Sequence, residues 1–275
     1  MRGPVLLASL LSCLPAQSLL AQDREDLPAS LFSWAGRPAT LGPLGDINTD
    51  RPDFTDASST VGLGVLQLET GYTFTKASGT ESHSWGEPMI RYGVLANWIE
   101  LRMAVAPVTE RSTTTRSGIE DLSLGVKLTL MQQDGLLPGL AVVPQMTVPT
   151  GSAKFSADRV LPGINLLYGW DLSDALSMDA STHLNLAVDD DAHSYTEWAQ
   201  SLSLGLSLTE NLSSFFEWYA LFPVSSATAS IEHYLDVGLT CALSGDLQID
   251  LRVGRGLNDA SDDYFVGTGL AFRFK

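Results

Sequence analysis

The chain is poor in cysteine, in basic residues and in long apolar runs. Its two cysteines are Cys13 and Cys241. Cys13 lies in an apolar leader, so a processed chain keeps one thiol and forms no internal disulfide, even in an oxidising compartment. Lys and Arg number 16 against 32 Asp and Glu, a net charge of −16. That balance excludes nucleic acid as a partner, because phosphates must be met by clustered Lys and Arg. It also excludes adhesion to anionic lipid through a basic patch. Beyond the leader no apolar run reaches 18 residues, so no spanning helix is encoded. The Gly-x-Ser-x-Gly, His-Glu-x-x-His and Cys-x-x-Cys patterns are all missing. No catalytic residue, metal site or cofactor is therefore assigned, and the chain is not read as an enzyme.

What is present starts with residues 1–21, MRGPVLLASLLSCLPAQSLLA. One charge followed by an apolar stretch predicts a secretory signal peptide cleaved near Ala21, with Ala16 as an alternative site. A membrane anchor and a lipobox ending at Cys13 are the competing readings. Residues 22–64 are rich in Pro, Gly and Asp and show no period. They are expected to form an N-terminal periplasmic or lumen-docked segment.

From Val65 to the end, residues alternate with period 2, the signature of strands. Leu202, Leu204, Leu206 and Leu208 interleave with Ser201, Ser203, Gly205 and Ser207; Leu247, Ile249, Leu251 and Val253 interleave with Gln248, Asp250, Arg252 and Gly254. Twelve such runs are expected: 65–75, 87–95, 98–107, 119–130, 136–148, 162–171, 175–187, 196–208, 213–222, 231–243, 247–254 and 263–274. The weakest is 136–148, because Pro138 and Pro144 remove ladder donors. Connections alternate long and short, and stretches such as 76–86 and 108–118 read as long polar loops. An even number of strands with short turns at one end fits an all-β, antiparallel, up-and-down transmembrane β-barrel over 65–275, with periplasmic turns and extracellular loops.

A soluble barrel also alternates, with its apolar face inward. Two features favour a lipid-facing exterior. The apolar faces carry no Asp, Glu, Lys or Arg, as lipid requires when a midplane charge costs ~2–4 kcal/mol. Aromatics on that face gather near strand ends: Phe74, Phe222, Trp198 and Tyr264 at the long-loop end, Trp170, Phe216, Phe272 and Phe274 at the other. The opposite faces are charged. Glu69, Arg91, Glu100, Arg102, Asp121 and Lys127 fall on them in the first half of the barrel. Asp179, His183, Glu197, Glu217, Asp236, Asp250 and Arg252 follow in the second. These are the candidate pore-lining residues. Acids outnumber bases among them, which disfavours anions and favours cations or neutral solutes. Asp189-Asp190-Asp191 and the Asp259, Asp262, Asp263 group read as solvated acidic loops, since the EF-hand spacing is absent.

The stretch Asp46-Ile47-Asn48-Thr49-Asp50-Arg51-Pro52-Asp53-Phe54-Thr55, followed by Val65-Leu66-Gln67-Leu68-Glu69-Thr70-Gly71-Tyr72, resembles the MetA-pathway-of-phenol-degradation family of outer-membrane transporters. The resemblance implies uptake of small molecules of aromatic or other poorly soluble kind, and brings no catalytic residues. Asp50, Arg51, Pro52, Asp53 and Phe54 are expected to form an anchored turn folding across or into the periplasmic mouth, with Arg51 pairing to a carboxylate; a flexible linker with a chance ion pair is the competing reading. The expected function is passive outer-membrane uptake through a net-acidic lumen; the alternatives are a closed structural or binding barrel and an outer-membrane hydrolase. Expected partners are outer-membrane lipid, the barrel-assembly machinery that reads an aromatic last strand, and a small-molecule solute.

Overall fold

A computed structural model describes residues 45–189 and 191–274. The expected leader and residues 22–44 lie outside the described residues. Among those described, the regular structure is all strand: β1 (Leu66–Ala77), β2 (Thr80–Gly93), β3 (Ile99–Ala104), β4 (Pro107–Arg111), β5 (Thr115–Ile119), β6 (Leu122–Met131), β7 (Gly139–Val148), β8 (Leu161–Asp171), β9 (Leu176–Val188), β10 (Ser194–Ser207), β11 (Leu212–Val224), β12 (Glu232–Ser244), β13 (Leu247–Gly256) and β14 (Tyr264–Phe274). Neighbours pair antiparallel, and β1 pairs with both β2 and β14, which closes the sheet. β3 and β4 both pair with β2 and are one stave interrupted at Val105–Ala106. β5 and β6 likewise make one stave, interrupted at Glu120–Asp121. The result is a closed up-and-down barrel of twelve staves.

Orientation follows the alternation. Leu202 and Leu204 are each 41% exposed, whereas Ser201 and Ser203 between and beside them are 0% and 3%. Phe216 is 53% exposed and its neighbour Glu217 0%. Greasy side chains therefore face outward and charged ones inward, the reverse of a soluble barrel. Aromatic pairs mark two rims on the outside. Trp198–Phe222 (4.8 Å) and Phe74–Tyr264 (5.9 Å) lie at one end, Tyr168–Trp170 and Phe272–Phe274 (both 6.4 Å) at the other.

Two expected loops are strands instead. Residues 76–86 form a hairpin in which β1 and β2 continue to a tight turn at Ser78–Gly79, both in the left-handed region (φ 41° and 90°). Residues 108–118 form the β4–β5 hairpin. Alternation is legible only where one face must be apolar; above the lipid both faces meet water and the sequence turns polar throughout. Lys76 and Glu81, an ion pair at 3.1 Å across that hairpin, sit beyond the apolar band. The strict long–short alternation of connections consequently fails at these two positions, and 149–160 is the long strand-free stretch. β7 starts at Gly139 rather than 136, after a turn closed by the Asp134–Leu137 bridge.

Candidate functional site: the lumen and its N-terminal segment

Residues 45–64 thread through the barrel and contact its inner wall on several sides. Asp50 sits 5% exposed among three cations: Arg102 Nη2 at 2.8 Å, Lys127 Nζ at 2.9 Å and Arg91 Nε at 3.4 Å. These come from β3, β6 and β2, so one carboxylate links three staves. Arg91 also pairs with Glu69 (2.9 Å) and Glu100 (2.8 Å). Arg102 pairs with Asp56 of the segment at 2.7 Å. Such a buried network is stable only if every member is partnered, and here each is. Burial alone pushes the Asp50 carboxyl up, but Arg91, Lys127 and Arg102 outweigh it and hold the group well below the usual carboxylate range.

Arg51 reaches the opposite way, to Asp250 (3.4 Å) on β13 and to Glu87 on β2. Two local features make that possible. One extra residue in β2 forms a bulge in which Glu87 and Pro88 together oppose Thr70, and this Glu87 is the Arg51 partner. Gly71 and Gly269 face each other across β1 and β14, and a Cβ on either would collide with the Arg51 guanidinium. The Asp50 and Arg51 backbone N–H groups donate to Glu69 (3.2 and 3.1 Å).

The other end of the motif is held differently. Phe54 and Thr55 donate their backbone N–H groups to Glu217 on β11 (2.7 and 2.8 Å), and the Thr55 hydroxyl bonds the same carboxylate and Ser201. Ser203 donates to Asp53 at 3.0 Å. The Phe54 ring stacks on Tyr219 (4.5 Å, 3°) and on His183 (5.0 Å, 25°). Tyr219 in turn stacks on Tyr234 (4.7 Å), and Tyr234 meets Phe265 edge-on at 6.2 Å. Among the described residues no Lys or Arg nitrogen lies within 4 Å of Asp53, Asp179, Glu217 or Asp236. Burial, with Glu217 and Asp179 adding repulsion, pushes the Asp53 carboxyl well above its ordinary value.

Of the candidate pore-lining residues, Glu69, Arg91, Glu100, Arg102, Lys127, Glu217 and Asp250 all converge on the segment. His183 meets Phe54. Asp236 lies opposite Glu217 across β11–β12, and both its carboxylate oxygens are buried without a hydrogen-bond partner. Arg252 packs its guanidinium over Phe265 at 5.2 Å. Asp179 lines a polar hollow of about 860 Å3 with Asn48, Asp53, Ser58 and Asp171. Two residues lie apart. Asp121 accepts backbone N–H groups of Gly151 and Ala157 (both 2.9 Å) and pins the 149–160 loop. Glu197 accepts from Tyr195 at 3.3 Å near the long-loop rim. Asp189 likewise folds its own loop, accepting from Asp191 and His193. Sequence reasoning did not single out Thr55, Asp56, Ser201, Tyr219, Tyr234 or Phe265. Parity could have placed the tyrosines inward, since Tyr219 and Tyr234 each lie two residues from an inward acid.

No curated protein matches this chain in sequence. Among solved structures, the COG4313 outer membrane channel from Pseudomonas putida F1 is similar in fold, with a TM-score of 0.64, 13% identity, and 79% of this chain and 98% of that one covered. The NanC porin follows at TM-score 0.52, 12% identity and 75% and 98% coverage. The KdgM porin gives 0.51, 9%, and 76% and 99%. Residues 49–274 match the family described as "Putative MetA-pathway of phenol degradation", from the start of the Asp50–Phe54 motif to the last strand, and the chain belongs to that family.

Proposed function

We propose that this protein is a passive channel of the bacterial outer membrane for small, neutral or cationic molecules, with the N-terminal segment as the element that narrows it. The carrying observation is the inverted barrel itself: an apolar exterior between two aromatic rims, and a charged interior that a segment of the same chain enters. The similar folds are channels and porins, which supports transport over catalysis. The pairing pattern sets the selectivity. Arg91, Arg102, Lys127 and Arg51 are occupied by carboxylates, whereas among the described residues no Lys or Arg nitrogen lies within 4 Å of Asp53, Asp179 or Asp236. The unpaired field is negative and opposes anions. The stacked aromatic wall of Phe54, Tyr219 and Tyr234 gives flat molecules a surface, in keeping with the family's name.

On this reading a signal peptide delivers the chain across the inner membrane, and assembly machinery recognises the aromatic strand ending Phe272-Arg273-Phe274. Deleting residues 46–56 and recording single channels in planar bilayers tests the role of the segment. Larger, cation-favouring steps than wild type are expected. Unchanged conductance contradicts it.

A further inference from the structure

Charge is unevenly spread around the lumen. β1–β3, β6 and β11–β13 carry the ion pairs and acids described above. The inward positions of β7, β8 and the loop-side half of β9 are instead Val143, Gln145, Thr147, Asn165, His183 and Asn185. Two hollows lie against this wall. One, of about 510 Å3, sits beneath residues 154–157 at the long-loop end. The other, of about 220 Å3, lies deeper, beside Phe54. They meet at Ser123 and Gln145, which border both. Residues 53–57 close the inner hollow from the periplasmic side. Phe54 and Asp56 border it, while Asp53, Thr55 and Ala57 turn to the large polar hollow beyond.

The neck between the two hollows is made of side-chain amides. Gln145 Nε2 donates to Asn185 Oδ1 at 3.1 Å and to Asn165 Oδ1 at 3.4 Å. Gln145 and Asn185 both pair with Gly163 on the strand between them, and a Cβ at Gly163 would collide with the Asn185 amide. The glycine lets two amides join across an intervening strand. These bonds engage one polar group of each amide and leave the other, a carbonyl or an NH2, as recognition chemistry. On either side of the neck one buried polar atom has no partner among the described residues: Thr147 Oγ1 beside the outer hollow and His183 Nε2 beside the inner one. His183 is only 8% exposed. A buried donor or acceptor without a partner is costly, so a solute that supplies one is favoured there.

We propose that the neck and the inner hollow form a binding site for a small neutral carboxamide on the extracellular side of the segment, selected by Gln145, Asn165, Asn185 and His183. The site rests on the uptake reading above and names a solute class for it. A carboxamide holds N–H donors and a carbonyl acceptor in one plane, as the side chains it meets do, so it replaces both halves of its lost hydration. A ketone of the same shape has no donor and leaves a buried acceptor unpaired, and sites built from hydrogen bonds reject such analogues. An ion is disfavoured for another reason. Arg102 and Asp56, the charges bordering the inner hollow, already neutralise each other at 2.7 Å, so nothing offsets the ion's dehydration. Size is no obstacle, since a cavity of ~150 Å3 already holds benzene.

The test titrates the purified protein in deuterated detergent with propionamide and with butanone, its isostere without the NH2 group, and reads binding by saturation-transfer NMR. Propionamide is expected to bind about tenfold or more tighter than butanone. Gln145→Leu keeps the bulk of the side chain without its amide. His183→Phe keeps a ring against Phe54 without Nε2. Each is expected to erase the preference, with heat-modifiable gel migration showing that the barrel is folded; should Gln145→Leu fail to fold, His183→Phe carries the test. Equal affinity for the two solutes in the wild type, or a preference that survives substitution, overturns the site. The readout does not depend on conduction. A protein that passes ions in planar bilayers but binds neither solute overturns the site and leaves the channel standing. One that prefers propionamide but passes no current supports the site and overturns the channel reading.

Discussion

The two halves of the Asp50–Thr55 motif meet opposite walls and are held by opposite means. Asp50 lies in a wall of cations supplied by β2, β3 and β6, and Arg51 answers with carboxylates from β2 and β13. Asp53 to Thr55 lie against β9–β12, where the wall is acidic and aromatic. There the attraction runs through backbone N–H groups and stacked rings, while the Asp53 side chain faces carboxylates. The first half is a charge lock. The second is a hydrogen-bonded perch that carries a repulsive group within it. A segment fixed at one end and poised at the other can yield from the perch while staying anchored at the lock.

Removing the lock is the largest perturbation. Asp50→Asn strips Lys127 of its carboxylate and takes one of several partners from Arg91 and Arg102, and breaking a buried charge network costs about 3–5 kcal/mol. The segment is expected to leave the lumen and become cleavable by added protease at residues 46–60, while heat-modifiable gel migration shows the barrel still folded.

Glu217→Gln tests the perch. It weakens one acceptor that serves two backbone N–H groups and the Thr55 hydroxyl, a loss of about 1–3 kcal/mol. Protease sensitivity is expected to rise near residues 53–56 and to remain low at 46–50. Uniform release along the segment breaks the distinction between the halves.

The pH dependence separates them by sign. The docked Asp50 carboxyl titrates below its free value, so its contribution is complete above about pH 4 and is lost only as pH falls toward the docked value. Asp53 is the reverse: its docked carboxyl titrates above the free value, so docking weakens as pH rises from the ordinary carboxylate range toward the docked one. Asp53→Asn removes that loss. Conductance recorded from pH 4 to pH 8 is expected to climb in the wild type and to flatten in the variant.

Phe54→Ala is the smallest of the four. It removes the stack on Tyr219 and His183, worth about 0.5–1.5 kcal/mol beyond the area buried, and is expected to weaken retention of aromatic solutes more than it alters ion flow. The measurement is block of single-channel current by an added aromatic amine.

Much of this was legible in the chain. Leu202 and Ser203 state the orientation of β10 by themselves, because lipid tolerates no charge on one face and a wet lumen tolerates many on the other. The Asp50–Phe54 motif was read as an anchored turn with Arg51 paired to a carboxylate, and Arg51 lies beside Asp250 and Glu87. Which of the inward carboxylates it meets was not legible, since Asp250 is 199 residues away in sequence. The two protruding hairpins were hidden because water on both faces erases the period. Pro144 marked 136–148 as the weakest strand, yet it lies inside β7 and pairs with Ile164 of β8.

The most direct measurement places Asp50→Asn and Asp53→Asn side by side in planar bilayers at pH 7. Two aspartates three residues apart in one segment are predicted to behave oppositely, with conductance above wild type for Asp50→Asn and at or below wild type for Asp53→Asn. Equal conductance in all three proteins would contradict the lock and the perch together.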